Sequence, residues 1–315
     1  MGVNVQERND FYTAYPIKKR LLYVLGMIVV AVLIAGFWHR GLVDGFGRDI
    51  VAGGTIGNTG ELAGQYDTHG GGFGLVFAVI AGLAATFTAC NCVIFAMMPG
   101  LACSTEQGAD RNSPWQVLGM FTIPVLAITA VYGLYVGFLG PVGIDYINQT
   151  EVRHAQSFAV FTALGFAMLA WGFLELGFLD SVKKRASRAT RDFFGQMTVK
   201  AVLLGSMVGM FTVGRPYPLF RDFLVYAAST KNPAYGALVM MIQGFGQIAV
   251  MVLLFLLLVK LGGRKLSAIA IDKPHKFQLI SGMALTAGGI YFLYYWGLGR
   301  MFDLGRWGYK LGWYT

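Results

Sequence analysis

Charged residues are scarce in this chain of 315 residues. Only 13% are Asp, Glu, Lys or Arg, whereas 56% are hydrophobic, and the mean hydropathy is +0.57. Soluble domains carry about 25% charged residues, so this composition excludes an ordinary water-soluble fold. Several apolar runs reach the ~20 residues that cross a hydrocarbon core about 30 Å thick. The composition therefore predicts an all-α, polytopic membrane protein whose main partner is the lipid bilayer.

Cysteine is scarce as well, with Cys90, Cys92 and Cys103 all in one apolar stretch. Three cysteines are too few for a disulfide scaffold, and their setting points to packing or redox chemistry. The four histidines and the carboxylates match no metal motif, so we predict no metal site and no cofactor. The net charge of +9 does not indicate nucleic-acid binding, because the basic residues cluster beside apolar runs, where they set topology.

Seven apolar segments follow one another along the chain, and each is long enough for a transmembrane helix. They lie at about 21–38, 73–103, 115–140, 156–182, 196–230, 234–260 and 277–298. A cleaved signal peptide is the alternative for the first segment, but no clear small-residue cleavage site follows it, which favours an uncleaved helix. Residues 39–71 between the first two segments are typical of a Gly-rich, solvated loop.

The basic residues also predict the orientation. With a cytoplasmic N-terminus, 16 of the 25 Lys and Arg residues fall in the four cytoplasmic segments 1–20, 99–114, 183–200 and 260–276. This excess agrees with the positive-inside rule. The C-terminus is then predicted to lie outside, where an aromatic group would anchor it at the interface: Trp307, Tyr309, Trp313 and Tyr314.

Two related stretches organise the rest of the chain. Phe87–Thr105 reads FTACNCVIFAMMPGLACST, and Phe211–Thr230, about 124 positions later, reads FTVGRPYPLFRDFLVYAAST. Segments two to four and five to seven start from opposite sides of the membrane, as in an inverted-topology repeat. We predict one N-terminal helix plus two inverted three-helix repeats. Helix breaks would face each other at a shared central site, with these residues at the breaks: Asn91, Pro99, Pro216 and Pro218.

This organisation divides the chain into three parts. Residues 1–71 hold the N-terminal tail, the first helix and the polar loop. Residues 72–298 form a six-helix membrane domain, with one repeat over 72–182 and the other over 196–298. Residues 299–315 form an aromatic and basic C-terminal tail.

Residues 73–298 resemble the six-helix membrane domain of the CcdA/DsbD-type thiol–disulfide transporters, which include cytochrome c biogenesis and methylamine-utilisation accessory proteins. Cys92-Val93-Ile94, followed by Met98-Pro99-Gly100, is similar to the first cysteine motif of that family. Gly214-Arg215-Pro216-Tyr217-Pro218, running into Ala227-Ala228-Ser229, is similar to the second. Two departures stand out: Arg215 occupies the second-repeat cysteine position, and Asn91 stands where the first motif has a proline.

The resemblance implies a protein of the bacterial inner membrane that supports maturation of an extracytoplasmic redox protein. Electrons would pass through Cys90, Cys92 and Cys103 by thiol–disulfide exchange to a periplasmic or membrane redox partner. Inert, buried thiols are the alternative for these cysteines. A second alternative is a Cu(I) site that also uses methionines near the motif, namely Met97, Met98 and Met120.

Two charged residues are candidates for the central site. An arginine near the bilayer middle costs several kcal/mol unless it is paired or hydrated, and Arg215 beside Cys90 and Cys92 would favour their thiolate forms. Glu175 is an intramembrane carboxylate whose partner would be Lys200 or Arg215, or which simply reaches the interface. Gln243 and Gln247, one turn apart, are typical of helix–helix hydrogen bonds, with substrate contacts as the alternative.

Two further functions stay open at this point. One is a non-catalytic structural or accessory subunit of a larger membrane complex. The other is a small-solute transporter in which Arg215 binds an anion. Whether the protein is an enzyme is also open, because the sequence holds no hydrolytic, metal or cofactor constellation.

Overall fold

The computed structural model describes most of the chain, and its limits matter for the site. The backbone is described for residues 11–88, 91, 114–180, 185, 187, 196–272 and 274–314. Within these ranges the side chains at positions 40, 114, 258, 259, 261–272, 274 and 277 are not described.

Long helices form the body of the protein, and the apolar composition is the reason, since a helix satisfies its own backbone groups in lipid. They are α1 (Ile17–Gly36), α5 (Tyr66–Thr86), α6 (Pro114–Asn148), α7 (Thr150–Glu175), α8 (Met197–Gly214), α10 (Pro233–Asp272) and α11 (Pro274–Phe292), with the shorter α9 (Pro218–Ser229) between α8 and α10. Six of the described helices are long and apolar enough to cross a membrane. Helix α11 carries the seventh predicted segment. Large apolar side chains face outward from the bundle, for example Leu22, Phe138 and Val142.

The helices run alternately between two ends of the bundle, which we call the Lys200 end and the Pro233 end. Helices α1, α6, α8 and α11 begin at the Lys200 end. Helices α5, α7 and α10 begin at the Pro233 end, as the contacts between them require. Helix α10 packs on α5 and α6, α8 packs on α6, and α11 packs on α7.

Glycines allow the closest approaches between helices. A Cβ atom on Gly82 of α5 would lie 2.3 Å from the carbonyl oxygen of Gln243, and one on Gly205 of α8 would lie 2.1 Å from that of Phe121. Small residues are favoured at such membrane interfaces because they let backbones meet. The two glycines are 123 positions apart and the two carbonyl residues are 122 positions apart, close to the 124 positions that relate Phe87 to Phe211. The second contact therefore repeats the first, which supports the proposal of two related halves.

The polar stretch that we predicted as a solvated loop is instead largely helical. It contains α2 (Arg40–Gly45), a π-helix (Phe46–Ala52), α3 (Gly53–Ile56) and α4 (Thr59–Ala63). Ala52 and Leu62 are buried against α5 and α9. The solvated-loop prediction was wrong because few apolar residues are spread over several short turns, so no helical period is visible.

The C-terminal tail folds back on the end of α1. After α11 the chain continues as a π-helix (Leu293–Leu298), α12 (Gly299–Met301) and α13 (Trp307–Lys310). Trp313 stacks on Phe37 with ring centroids 5.0 Å apart, and the Tyr314 hydroxyl donates to the Phe37 carbonyl at 2.7 Å. The aromatic residues of the tail thus cap the first helix.

Candidate functional site

The second helix break lies between α8 and α9, and the sequence Gly214-Arg215-Pro216-Tyr217-Pro218 accounts for it. A residue before proline is pushed out of the helical region. Arg215 (ψ 119°) and Tyr217 (ψ 130°), each followed by proline, are extended accordingly. Pro218 then begins α9, where its missing N–H costs nothing. Pro216 thus lies in the break, and Pro218 is the first residue of the helix that follows it.

The first break follows α5, whose last residue is Thr86. A helix end leaves backbone carbonyls without an intrahelical partner. Here the Thr88 hydroxyl and the Asn91 amide nitrogen both donate to the Ala85 carbonyl, at 2.8 and 2.9 Å. Asn91 is fully buried. Its covalent neighbours, Cys90 and Cys92, lie outside the described residues, as do Cys103 and Pro99.

The two breaks meet in a buried group of polar side chains, which we call the central cluster. Its members are at most 7% exposed and come from α5 and its break, from α8 and its break, and from α10: Thr86, Thr88, Asn91, Thr212, Arg215 and Gln247. Arg215 donates to the Gln247 amide oxygen at 3.4 Å and to the Thr88 hydroxyl at 3.4 Å. The structure therefore brings Asn91 and Arg215 into one site.

Gln247 forms hydrogen bonds with most of the other members of the central cluster. Its amide oxygen accepts from the Thr212 hydroxyl at 2.8 Å, and its amide nitrogen donates to Asn91 Oδ1 at 3.5 Å. Its backbone carbonyl accepts from the Thr86 hydroxyl at 3.0 Å. The prediction of helix–helix hydrogen bonds fits Gln247. It does not fit Gln243, whose amide atoms are buried without a hydrogen-bond partner in the described part of the chain.

Glu175, a candidate for the central site, is not part of the central cluster, and its partner is Lys200, one of the two that the sequence offered. It ends α7 and pairs with Lys200 at 2.6 Å, while the Trp171 indole donates to the same carboxylate at 3.1 Å. Lys200 and Arg215 are 15 residues apart along α8 and its cap, which is about 22 Å at 1.5 Å per residue. The carboxylate thus has its partner at the Lys200 end, one helix length from the centre.

Another buried guanidinium lies nearer the Pro233 end, and the sequence analysis missed it. Arg153 of α7 is 1% exposed and donates to the Tyr132 hydroxyl at 3.0 Å and to the Gln156 side chain at 3.1 Å. Gln156 in turn donates to the Val213 carbonyl at 2.9 Å, so these contacts support the last turn of α8. Arg153 lies three residues after the start of α7.

Thr88 and Thr212 were also missed as site residues, whereas Gln247 was predicted to form helix–helix hydrogen bonds, with substrate contacts as the alternative. The repeated Phe-Thr dipeptide was a usable signal for both threonines, since Thr88 and Thr212 are 124 positions apart. Elsewhere, the described residues contain no group of three or more His, Cys, Asp or Glu side chains that could hold a metal ion. The central cluster, as described, offers hydroxyl, amide and guanidinium groups.

The family can now be stated from the comparison with known proteins. Neither a curated protein nor a solved structure matches the chain. Residues 77–291, from within α5 to within α11, match the family described as the cytochrome c biogenesis protein transmembrane region. The match leaves α1 and the C-terminal tail outside, as the resemblance did, and it covers more than half of the 315 residues. The chain belongs to this family of cytochrome c biogenesis transmembrane proteins.

Proposed function

We propose that this protein supports maturation of an extracytoplasmic redox protein by thiol-based electron transfer through Cys90, Cys92 and Cys103. The observation that carries the proposal is the meeting of the two helix breaks at Gln247. Asn91 lies between Cys90 and Cys92 in the sequence. Its side chain contacts the Gln247 amide, and so does the side chain of Arg215, from the other break. Family membership supports the same class of function.

Arg215 has a chemical role in this proposal. The thiolate is the reactive form of cysteine, and a neighbouring cation favours it, whereas apolar burial disfavours it. A guanidinium stays charged at any physiological pH. Held at the break by Gln247 and Thr88, Arg215 supplies positive charge to the segment that contains the Cys-Asn-Cys sequence.

The redox step transfers two electrons and two protons. A partner disulfide is reduced to two thiols, while two thiols of this chain lose their protons and form one S–S bond. A dithiol protein on the cytoplasmic side then reduces that disulfide and returns this chain to its dithiol form. The exchange proceeds by attack of a thiolate on a disulfide sulfur through a mixed disulfide.

The setting proposed for this chemistry is the bacterial inner membrane, with the Lys200 end toward the cytoplasm. The cluster of basic residues between α7 and α8 supports this orientation. The N-terminus would then be cytoplasmic and the C-terminus periplasmic. The break at Arg215, one helix length from Lys200, would lie within the bilayer.

Cysteine replacement in the full chain tests the proposal. Cys92→Ser should abolish maturation of the redox partner, measured as loss of its active form, while the variant still accumulates in the membrane. Cys103→Ser and Cys90→Ser separate the contributions of the other two thiols. If a variant lacking all three cysteines supports full maturation, electron transfer is excluded and a non-catalytic accessory subunit becomes the function.

A further inference from the structure

Gln247 contacts both helix breaks, and no other amide in the central cluster does so. Its oxygen accepts from Thr212 and Arg215, on the α8 side. Its nitrogen donates to Asn91 at the end of the α5 break and to the Val208 carbonyl of α8 at 3.4 Å. We infer that Gln247 is a positioning residue that holds Arg215 near Asn91, the residue between Cys90 and Cys92 in the sequence. The inference rests on the proposed function.

The orientation of the Gln247 amide is set by its neighbours. An amide offers two N–H donors and one oxygen with two acceptor sites, whereas a guanidinium can only donate. Turning the amide over would place its NH₂ group against Arg215, which cannot accept. Arg215 therefore fixes the oxygen on its own side, and the nitrogen is left facing Asn91.

The backbone of Gln247 also has contacts with α5. Thr86 of α5 donates to the Gln247 carbonyl at 3.0 Å, and one turn earlier Gly82 meets the backbone of Gln243 and Gly246. These contacts fix the register between α5 and α10. Asn91 follows Thr86 by only five residues, so the position of the first break relative to Gln247 depends on this contact.

The two breaks share this amide because only one of the two repeats supplies it. The 124-residue offset pairs Thr88 with Thr212 and Asn91 with Arg215. The Gly82–Gln243 and Gly205–Phe121 contacts relate α10 to α6 by 122 positions, which pairs Gln247 with Val125, a buried apolar residue. Helix α6 therefore brings no second amide to the cluster. Replacing Gln247 should loosen both breaks at once.

Gln243 provides a matched control. It lies one turn away on the same helix, is also fully buried, and its amide has no hydrogen-bond partner in the described part of the chain. Gln243→Leu removes the same chemical group one turn away, and it removes no hydrogen bond to Arg215 or Asn91.

The test measures alkylation of each cysteine against pH in membranes containing the full chain, with the modified peptides located by mass spectrometry. Gln247→Leu should slow alkylation of Cys90 or Cys92 at neutral pH by about threefold to tenfold. This is the effect expected from losing one or two of the hydrogen bonds that position the Arg215 guanidinium. The pH midpoint of alkylation should rise. Gln243→Leu should leave both unchanged, and Gln247→Leu should add little to Arg215→Leu.

Each outcome separates this inference from the proposed function. If Arg215→Leu shifts the pH profile and Gln247→Leu does not, Gln247 is not a positioning residue and the proposed function stands. If neither variant shifts it, Arg215 has no role at the thiols. Should Gln247→Leu fail to accumulate, Thr212→Val removes only the 2.8 Å bond to the Gln247 oxygen. That variant should give a smaller shift in the same direction, and an unchanged profile would overturn the inference.

Discussion

The two ends of α8 hold their basic residues in different ways. At one end Lys200 pairs with Glu175, and the side chains are 31% and 14% exposed. At the other end Arg215 is 2% exposed and donates to an amide and a hydroxyl. The first contact joins two continuous helices, α7 and α8. The second joins two helix breaks, where irregular backbone is tolerated in a membrane only because protein or a cavity covers it.

Under the proposed function, this difference separates a charge that joins two helices from a charge that acts at the thiols. An ion pair between continuous helices is explained by packing and needs no further role. Breaks in two membrane helices cost backbone hydrogen bonds, and a buried arginine adds several kcal/mol of desolvation. Both costs fall at one place, beside the segment that contains Cys90 and Cys92. The proposed thiol chemistry at the central cluster would account for the breaks, whereas the Lys200–Glu175 pair would not.

The largest effect is expected at Arg215. Arg215→Leu should slow cysteine alkylation at neutral pH by roughly tenfold to a hundredfold, since a charged hydrogen-bonding group is worth about 1.5–3 kcal/mol. Maturation of the redox partner should fall with it. Arg215→Lys should keep part of the rate, because it preserves the charge and loses the planar fork. Normal maturation with Arg215→Leu would contradict the proposed difference between Arg215 and the Lys200–Glu175 pair.

A smaller effect, on stability alone, is expected at the other end. Glu175→Gln should lower the free energy of unfolding in mixed micelles by about 1–2 kcal/mol, because the partly exposed pair loses its attraction. The double variant Glu175→Gln/Lys200→Met should lose less than the two single variants together. Maturation measured at equal protein levels should be unchanged. A specific loss of maturation in Glu175→Gln would instead make the carboxylate part of the mechanism.

The last prediction concerns the topology and involves no change of function. A reporter fused after Arg191 should behave as cytoplasmic, and one inserted in the 39–71 region should behave as periplasmic. These positions lie on either side of the proposed membrane, so they assign the Lys200 end to the cytoplasm. Reversed labelling at both sites would invert the topology and place the thiol partner on the other side.

The sequence predicted those features that follow from composition and from local rules. Scarce charge and long apolar runs predicted the membrane helices, and the two X-Pro steps at Arg215 and Tyr217 predicted a break. The Phe-Thr repeat predicted two related halves, and the motifs that begin at Cys92 and Gly214 carried the resemblance to the family. Each of these signals lies within a few neighbouring residues or in the average over a segment.

What the sequence did not predict depends on which helices meet. Gln243 and Gln247 lie on the same face of α10. Gln247 forms hydrogen bonds because the end of α8 lies opposite it, and the sequence does not show which helix lies opposite each glutamine. Glu175 lies in an apolar segment, and its assignment to the Lys200 end follows from the contact between α7 and α8. The short helices over 40–63 acquire their apolar partners only from α5 and α9, which lie later in the chain.

The most direct test of the central claim is the redox state of the three cysteines while the partner protein matures. Membranes are quenched with acid, and free thiols are labelled with a mass tag. The account predicts that Cys92 alternates between thiol and disulfide when the partner is present, and that Arg215→Leu slows this alternation. Thiols that stay fully reduced during normal maturation would contradict the account and leave the protein as a structural subunit.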